Sequence, residues 1–161
     1  MNEQQAQRLV ELYSDRILRI SYSYLKHTQD AEDICQTVFL KYLTVQPEFD
    51  SPEHEKAWII RTAINACKDH LRSAFYRRTV PLEDASSVAA PAAGDSQLLD
   101  AMMALPKDYR IILHLFYYEE YSAQEIAHIL GKSRSAVEQS LSRGRKKLRT
   151  NLMRERSLSE Q

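Results

Sequence analysis

Polar side chains between residues 134 and 146 have the composition of a surface that recognises base edges in DNA. Arginine can bond guanine through two hydrogen bonds, glutamine can do the same with adenine, glutamate can accept from cytosine, and further cations can contact phosphates. The candidate residues are Arg134, Ser135, Glu138, Gln139, Ser142, Arg143, Arg145 and Lys146. Residues 132–154 hold 8 Lys or Arg against the single Glu138, so we expect this segment to contact a phosphate backbone.

The elements that must position these side chains are two helices joined by a tight turn, within residues 122–149. Ser122 and Glu125 have the spacing of a capping box that begins a helix, and Gly131 suits the left-handed residue that ends it. Ser133 can cap a second helix. The inner stripe of that helix is Val137, Leu141, Gly144 and Leu148. With the small Ala127, this spacing predicts a helix-turn-helix, and the alternative is an ordinary solvated basic helix.

Apolar residues recur at helical spacing over the rest of the chain. The stripes are Leu9, Tyr13, Ile17, Ile20 and Tyr24; Ala31, Ile34, Val38 and Tyr42; and Ile60, Ile64, Cys67 or Leu71, and Phe75. The period-two alternation of a strand does not appear at convincing length. The predicted fold class is therefore all-α.

A change in composition divides the chain. Of the 19 residues from 79 to 97, 11 are Ala, Ser, Pro or Gly, which is typical of a flexible linker. We therefore predict two small helical domains, at 1–78 and 98–154, joined by the linker 79–97 and followed by a tail at 155–161. Each domain is small, so we expect each to have a modest core and to gain stability from a partner.

Composition and charge exclude several classes of protein. The formal net charge is zero, but residues 1–70 hold 8 Lys or Arg against 11 Asp or Glu, so the charge is unevenly spread between an acidic first part and the basic helix. No apolar stretch is long enough to span a membrane, and the first residues lack the apolar core of a signal peptide. The two cysteines, Cys35 and Cys67, are expected to be inert buried thiols in a cytoplasmic protein.

The chain also lacks the usual sequence signs of an enzyme. The histidines are scattered, and the one close pair of soft ligands, Cys67 and His70, does not make a zinc site. A phosphate-binding glycine loop, a nucleophile elbow and an HExxH motif are missing as well. We therefore expect no catalytic residue, metal, cofactor or small-molecule substrate.

Three motifs in order give the chain a resemblance to a known family. They are AEDICQTVFLKYL at 31–43, AWIIRTAINACKDHLR at 57–72 and LPKDYRIILHLFYYEEYSAQEIAHILG at 105–131. Together they resemble the extracytoplasmic-function sigma factors, the compact two-domain class of bacterial initiation factors. The resemblance implies a sigma region 2 helical bundle that recognises the minus-ten element and a sigma region 4 helix-turn-helix that recognises the minus-thirty-five element. The implied partners are promoter DNA, an anti-sigma factor, and core RNA polymerase through the clamp helices of its largest subunit and the flap of its second.

The resemblance assigns a polymerase-docking surface to the second helix. By carry-over, its residues are Glu32, Asp33, Gln36, Phe39 and Leu40. Helical spacing independently places Asp33, Gln36 and Leu40 opposite the apolar stripe, which predicts that they face solvent in the free domain. Thr37 departs from the acidic residue that the family often has there. The alternative for Asp33 is an ordinary surface charge in the first turn of a helix.

The third helix resembles the region that recognises and melts the minus-ten element. The assigned residues are Arg61, Asn65, Lys68, Arg72, Arg77 and Arg78. A polar and aromatic stripe is expected at Trp58, Thr62, Asn65, Asp69, Arg72 and Tyr76. Aromatic rings can stack on unpaired bases, but Trp58 fits a core position better, and Asp69 has the spacing to pair with Arg72. The loop before this helix, residues 47–55, resembles one that captures a flipped base, and it contains Phe49 and His54.

Two other functions remain possible from the residues alone. A regulator that binds an operator as a dimer, independently of core polymerase, would explain residues 105–154 but not the first two motifs. A protein-interaction module would explain the acidic surface but not the cationic helix. The pair of motifs AEDICQ and AWIIRTAIN favours the sigma factor, because neither alternative requires it.

Overall fold

The computed structural model describes residues 2–77 and 96–159, and every regular element within them is an α-helix. The first compact unit contains α1 (Glu3–Leu25), α2 (Thr28–Val45) and α3 (Pro52–Arg77). The second contains α4 (Ser96–Met103), α5 (Lys107–Tyr117), α6 (Ala123–Leu130) and α7 (Arg134–Ser159). The predicted all-α fold with two small helical domains is confirmed.

The ends of α1 and α2 are set by local side-chain caps and left-handed residues. Asn2 Oδ1 accepts a hydrogen bond from the Gln5 backbone N–H (2.8 Å), and Gln5 Oε1 accepts one from the Asn2 backbone N–H (3.1 Å). Lys26 and Gln46 then adopt φ values of 55° and 49°. Because an L residue in that region does not continue a right-handed helix, α1 and α2 end there.

The core of the first unit contains the predicted stripes of α1 and α2 in full. On α3, Ile60, Ile64 and Cys67 are buried as predicted, and Leu71 is half-buried. Ile59 is buried as well, so the apolar face of α3 is wider than one stripe. The side chain of Phe75 lies outside the described residues. Burial raises the pKa of Cys35 and raises that of Cys67 to about 11, which fits the expectation of inert buried thiols.

The structure contradicts one member of the polar stripe expected along α3. Thr62 is buried, and its hydroxyl donates a hydrogen bond to the Trp58 carbonyl oxygen one turn earlier (2.7 Å). A threonine in a helix can satisfy its hydroxyl in this way, and its methyl group can then pack in a core. Thr62 therefore belongs to the interior and is not a DNA-facing residue.

One buried carboxylate joins all three helices of the first unit. Glu55, in the first turn of α3, is only 7% exposed. Its Oε1 accepts from Tyr13 of α1 (2.7 Å) and its Oε2 accepts from Tyr42 of α2 (2.8 Å). Arg8 of α1 donates from both Nη atoms, one to each carboxylate oxygen (3.3 and 3.0 Å). We call these four residues the Glu55 cluster, and it fixes α3 against both other helices.

The ionisation of the Glu55 cluster follows from these contacts. Burial alone would raise the pKa of Glu55, but hydrogen bonds from Arg8, Tyr13 and Tyr42 outweigh that effect and hold the pKa below its ordinary value. Burial and the bond to Glu55 raise the pKa of Tyr13, and they raise that of Tyr42 to about 12. The carboxylate is therefore charged and both phenols are neutral at neutral pH.

In the second unit, α4, α5 and α6 pack against α7. A Cβ atom built on the buried Gly144 would lie 3.3 Å from both Tyr109 Cβ and Leu113 Cδ1. The missing side chain thus allows α5 and α7 to approach closely. Val137 and Leu141 are buried on the same stripe and Leu148 is half-buried, as predicted.

Two polar side chains inside the second unit satisfy backbone carbonyls. The buried Arg110 donates to the Leu105 carbonyl oxygen (2.9 Å), and the buried Asn151 donates to that of Ala101 (3.1 Å). The Ala101 carbonyl belongs to α4, so Asn151 joins that short helix to α7. These bonds remove the cost of burying unsatisfied polar groups.

The described helices extend slightly beyond the expected domain limits. The helix α4 begins at Ser96, two residues inside the predicted linker, and residues 79–95 of that linker lie outside the described residues. The helix α7 continues to Ser159, through most of the expected tail. Residues 145–159 contain no proline or glycine, so nothing local ends the helix earlier. No helix in the two described ranges is both long and apolar enough to cross a membrane.

We expect Glu55→Ala to lower the free energy of unfolding of the first unit by about 2 kcal/mol or more, because it leaves two phenols and a guanidinium without their acceptor. Chemical denaturation followed by Trp58 emission measures this effect, since Trp58 is the single tryptophan and lies in α3. The matched control is Glu53→Ala, which removes an exposed carboxylate from the same helical turn. Equal losses in the two variants would contradict the role given to the cluster.

The stabilisation by Glu55 should also depend on pH. Its folded pKa lies below the ordinary value of 4.5, so the stabilisation is complete above that pH and is lost as the pH falls through the lowered pKa. The unfolding free energies of the wild type and Glu55→Gln should therefore converge on acidification from pH 7 to about 3. A difference that stays constant over this range would count against a charged Glu55 in the folded protein.

Candidate nucleic-acid interfaces

Four of the five residues assigned to docking are exposed on the outward face of α2. Glu32, Asp33, Gln36 and Leu40 are exposed, and Phe39 is half-buried. Leu40 is 63% exposed and Leu43, one turn later, is 42% exposed. The face thus changes from acidic and amide groups to apolar ones along the helix. Such a mixture on an isolated domain is typical of a surface that a partner covers.

Two residues of α2, Thr37 and Leu43, lie beside the docking residues but outside the set that the family resemblance assigns. Thr37 donates its hydroxyl to the Asp33 carbonyl oxygen (3.0 Å), so this side chain bonds its own helix where the family often has an acid. Leu43 was not assigned from the sequence, although its spacing of three from Leu40 was a usable signal.

A second surface follows the exposed side of α3. Asn65, Lys68 and Arg72 are exposed, as a strand-binding surface requires. Arg72 forms the expected ion pair with Asp69, also exposed. Such a pair between exposed side chains contributes little to stability, so it can be exchanged for a phosphate at small cost. The structure therefore leaves three polar groups of α3 accessible to a ligand.

The other residues of α3 assigned to the minus-ten strand are less exposed or lie partly outside the described residues. Arg61 is half-buried, and its Nε atom is enclosed without a hydrogen-bond partner among the described residues. The side chain of Arg77, and Arg78 as a whole, lie outside the described residues, as does the side chain of Tyr76. A histidine of α3 has a contact that was not predicted, since His70 Nε2 lies 3.3 Å from an oxygen of Asp30 in α2.

Trp58 belongs to a group of rings at the start of α3. It is half-buried and meets Tyr42 edge-on, with 5.7 Å between ring centroids. Phe49, in the loop between α2 and α3, lies 6.1 Å from both Tyr42 and Trp58 and 5.2 Å from His54. We call these four residues the aromatic cluster. Trp58 is therefore neither fully in the core nor fully exposed.

The predicted helix-turn-helix is present as α6 and α7. Ser122 and Glu125 form the capping box, with bonds of 3.1 and 2.9 Å. Gly131 ends α6 with φ 66°, and Ser133 Oγ accepts from the Ala136 backbone N–H (3.0 Å) at the start of α7. Each local signal in the sequence thus has the expected structural role.

The outward face of α7 presents all eight residues assigned to it. Arg134, Ser135, Glu138, Gln139, Ser142, Arg143, Arg145 and Lys146 are exposed. Arg134 Nε pairs with Glu138 (2.8 Å), a bond that must rearrange if either side chain is to contact a base. The arrangement places donors and acceptors along one accessible helix face, as insertion into a major groove requires.

Arg145 differs from its neighbours because it also packs on α5. Its Nε donates to the Tyr117 hydroxyl (2.7 Å), and its guanidinium lies over the rings of Phe116 and Tyr117, at 5.1 and 5.6 Å from the centroids. This contact joins residues 28 positions apart and was not predicted. It holds the Arg145 side chain in one place before any DNA is bound.

Comparison with known families covers both units. The model of Sigma-70 region 2 matches residues 9–75, and that of Sigma-70, region 4 matches residues 95–148. The chain belongs to the sigma-70 family of sigma factors. The two matches correspond to the two helical units of the structure, so this sigma factor directs RNA polymerase to promoters.

Individual relatives place this sigma factor in the extracytoplasmic-function group. RNA polymerase sigma factor SigV of Bacillus subtilis (strain 168) is 29% identical over 143 residues, which cover 85% of this chain and 84% of SigV. The ECF RNA polymerase sigma factor SigW of the same organism is 27% identical, over 89% of this chain and 87% of SigW. The sigma factor RpoE of Bartonella quintana, crystallised with the anti-sigma factor NepR, has a TM-score of 0.73 at 18% identity, with 91% and 96% coverage. The resemblance drawn from the three motifs is confirmed.

No metal centre is found in the part of this sigma factor that the structure describes. Within residues 2–77 and 96–159, His, Cys, Asp and Glu side chains form no group of three that could hold an ion. Asp30 has two histidines nearby, since His27 Nδ1 lies 3.5 Å from it and His70 Nε2 lies 3.3 Å from it. The His70 contact connects α3 to the first turn of α2, and the His27 contact lies within the start of α2.

We expect Arg145→Ala to lower the unfolding free energy of the second unit by about 0.5–1 kcal/mol, because it removes the contact with Phe116 and Tyr117. The matched control, Arg143→Ala, makes the same change in helix propensity at an exposed position of α7 and should stay within about 0.5 kcal/mol of the wild type. Denaturation of the full chain followed by circular dichroism measures both. Identical stabilities for the two variants would show that the Arg145 contact adds nothing.

Proposed function

We propose that the two units use three surfaces, one to bind RNA polymerase and two to recognise the promoter. The outward face of α2 docks on the clamp helices of RNA polymerase, the exposed side of α3 holds the melted minus-ten strand, and α7 recognises the minus-thirty-five duplex. The observation that carries this proposal is that all three faces are accessible while the opposite side of each helix is buried. The flap of the second large subunit is the proposed site for the second unit.

The chemistry of the α2 face suits docking on a protein. Asp33 and Gln36 offer acceptors and an amide, and Leu40 adds an apolar surface on the same side of the helix. Glu32 extends the acidic part, and Phe39 lies half-buried at its edge. A mixed face of this kind can form a polar rim around an apolar centre when a partner covers it.

The α3 face suits a single strand of DNA. Lys68 and Arg72 can contact phosphates, and Asn65 can bond the edge of an unpaired base. Arg61 has a half-buried guanidinium and fits a positioning role at the edge of this face. Arg77 and Arg78 extend the proposed set along the sequence. The aromatic cluster at the start of α3 offers ring surfaces on which a base can stack.

The outward face of α7 suits a major groove. Arg143, Lys146 and Gln139 are exposed donors, and Arg145 is already held by α5, so its binding costs less conformational entropy. Each single contact is weak and sensitive to salt, because one helix in one groove forms a small interface. Specificity then depends on joining two DNA sites on one polymerase, which raises their effective concentration.

The partner that restrains this sigma factor is proposed to be an anti-sigma factor. The support is the structural likeness to Bartonella RpoE, which was crystallised with the anti-sigma factor NepR. We propose that the protein acts in the cytoplasm, where RNA polymerase works, that such an anti-sigma factor can hold it at the membrane, and that it has no catalytic activity, metal or cofactor of its own. An operator-binding regulator is not favoured, because nothing in that function requires a match to sigma region 2.

We expect Asp33→Ala and Leu40→Ala to weaken binding to core RNA polymerase by about tenfold each, because truncation of a central interface residue costs on the order of 1 kcal/mol or more. Competition between labelled wild type and each variant for core polymerase measures the affinity. The matched control is Asp15→Ala, which removes an exposed carboxylate from α1.

The reciprocal variants lie on α7. Gln139→Ala and Arg143→Ala should bind core polymerase normally and lose affinity for the upstream promoter duplex. If the α2 variants bind core polymerase as tightly as Asp15→Ala does, the proposed docking surface is wrong. If the full chain binds a palindrome as a dimer and does not bind core polymerase, the regulator is the correct function.

A further inference from the structure

The Glu55 cluster and the aromatic cluster share one residue, Tyr42. Its hydroxyl donates to Glu55 (2.8 Å), and its ring contacts Phe49 and Trp58, at 6.1 and 5.7 Å between centroids. A buried ionic contact between three helices is thus connected through a single side chain to a group of rings at the surface. Tyr13, the other phenol bonded to Glu55, belongs to the Glu55 cluster alone.

The loop between α2 and α3 depends on these rings. Towards the ends of the loop, Gln46 N–H donates to the Tyr42 carbonyl oxygen (2.9 Å), Asp50 N–H donates to His54 Nδ1 (3.5 Å) and His54 N–H donates to Ser51 Oγ (3.1 Å). Between them, Phe49 is half-buried against Tyr42 and Trp58. The position of the Tyr42 ring therefore contributes to the conformation of the loop around Phe49.

The Tyr42 side chain, although only 8% exposed, lines a surface cleft of about 300 Å³ together with Gln5, Arg8 and Gln46. The packing beside this side chain is therefore incomplete, and the bond to Glu55 adds a constraint on its position. Loss of that bond would allow the ring to shift towards the cleft, and Phe49 with it.

The aromatic cluster lies at the start of the α3 face that we assign to the minus-ten strand. Trp58 and Asn65 are seven residues apart, which places them on the same side of a helix, about 10 Å apart along its axis. A strand that follows Arg72, Lys68 and Asn65 towards the N-terminus of α3 would thus arrive at these rings.

We infer that Glu55 is a positioning residue for minus-ten DNA. It does not contact the strand, but through the Tyr42 hydroxyl it holds the rings of Phe49 and Trp58 where an unpaired base can stack on them. This inference rests on the proposed function of α3. It assigns to a buried carboxylate of the first unit a role in DNA binding beyond its role in stability.

Two conservative variants separate these two roles. Tyr42→Phe and Tyr13→Phe each remove one buried hydroxyl from the same carboxylate, at nearly equal distances of 2.8 and 2.7 Å. Both should therefore destabilise the first unit to a similar degree. Only Tyr42→Phe should alter the aromatic cluster. In the free full chain, acrylamide quenching of Trp58 emission should increase in Tyr42→Phe and stay at the wild-type value in Tyr13→Phe.

The functional measurement uses the holoenzyme, reconstituted from core RNA polymerase and the full chain. The probe is a fork-junction DNA from a promoter that this holoenzyme selects, with 2-aminopurine in the unpaired minus-ten strand. We expect Tyr42→Phe to weaken binding of this probe by about threefold to tenfold, the range that one hydrogen bond of a buried network can account for. Tyr13→Phe should stay within about twofold of the wild type. The fluorescence of the bound base should also rise in Tyr42→Phe, because an unstacked base is quenched less.

Equal effects of the two variants on the probe, whether both are large or both are absent, would overturn the inference and leave the Glu55 cluster as a structural contact only. The variants Asn65→Ala and Arg72→Ala test the proposed function separately. If they lose the probe while Tyr42→Phe and Tyr13→Phe behave alike, the proposed function of α3 stands and only the role of Glu55 fails. If they bind the probe normally, the proposed minus-ten surface is wrong and the inference fails with it.

Discussion

The organisation of the first unit depends on satisfying one buried carboxylate. A charged Glu55 in the interior is tolerable only because three donors from α1 and α2 fill its acceptor positions. Since these donors come from two helices, the carboxylate fixes α3 against both of them at once. The exposed polar side chains of α2 and α3 lie on the side of each helix that faces away from this core.

The second unit has a different constraint, because α7 carries both core residues and the exposed face that we propose for DNA binding. Along α7, Val137, Leu141 and Gly144 are buried, while the residues between them are exposed. Gly144 allows α5 to lie close, and Arg145, the next residue, packs on the aromatic side chains of that same helix. The helix α7 is therefore supported by α5 at Gly144 and Arg145, as well as by α4 and α6. A supported helix loses less entropy on binding than a mobile one.

Local signals made much of the fold predictable from the sequence. The capping box of Ser122 and Glu125, the left-handed Gly131 and the apolar stripes depend on residues within a few positions of one another. The structure has the capping box, Gly131 and the stripes of α1 and α2 as expected. The prediction for Thr62 was wrong because helical spacing gives the side of the helix on which a residue lies, but not how closely a neighbouring helix packs there. Its bond to the Trp58 carbonyl made burial acceptable.

Long-range contacts were not predictable in the same way. Glu55 and Arg8 are 47 positions apart, and Arg145 and Tyr117 are 28 apart, so no periodicity connects them. The docking and DNA-binding residues were assigned through the family resemblance, and the structure adds their exposure. It also shows that Arg72, Arg134 and Arg145 already have partners in the free protein. Side chains that look equivalent in the sequence therefore have different contacts in the free protein.

The zero net charge of the chain hides an uneven distribution, because α7 is basic and the rest of the chain is acidic, which suits one surface for a protein and another for DNA. The assignment of strand opening to α3 is tested most directly by permanganate footprinting of unpaired thymines on a promoter bound by the reconstituted holoenzyme. The account predicts that a holoenzyme with Asn65→Ala and Arg72→Ala assembles normally and binds the upstream element but leaves the minus-ten thymines unreactive. Wild-type reactivity in that holoenzyme would contradict the assignment of strand opening to α3.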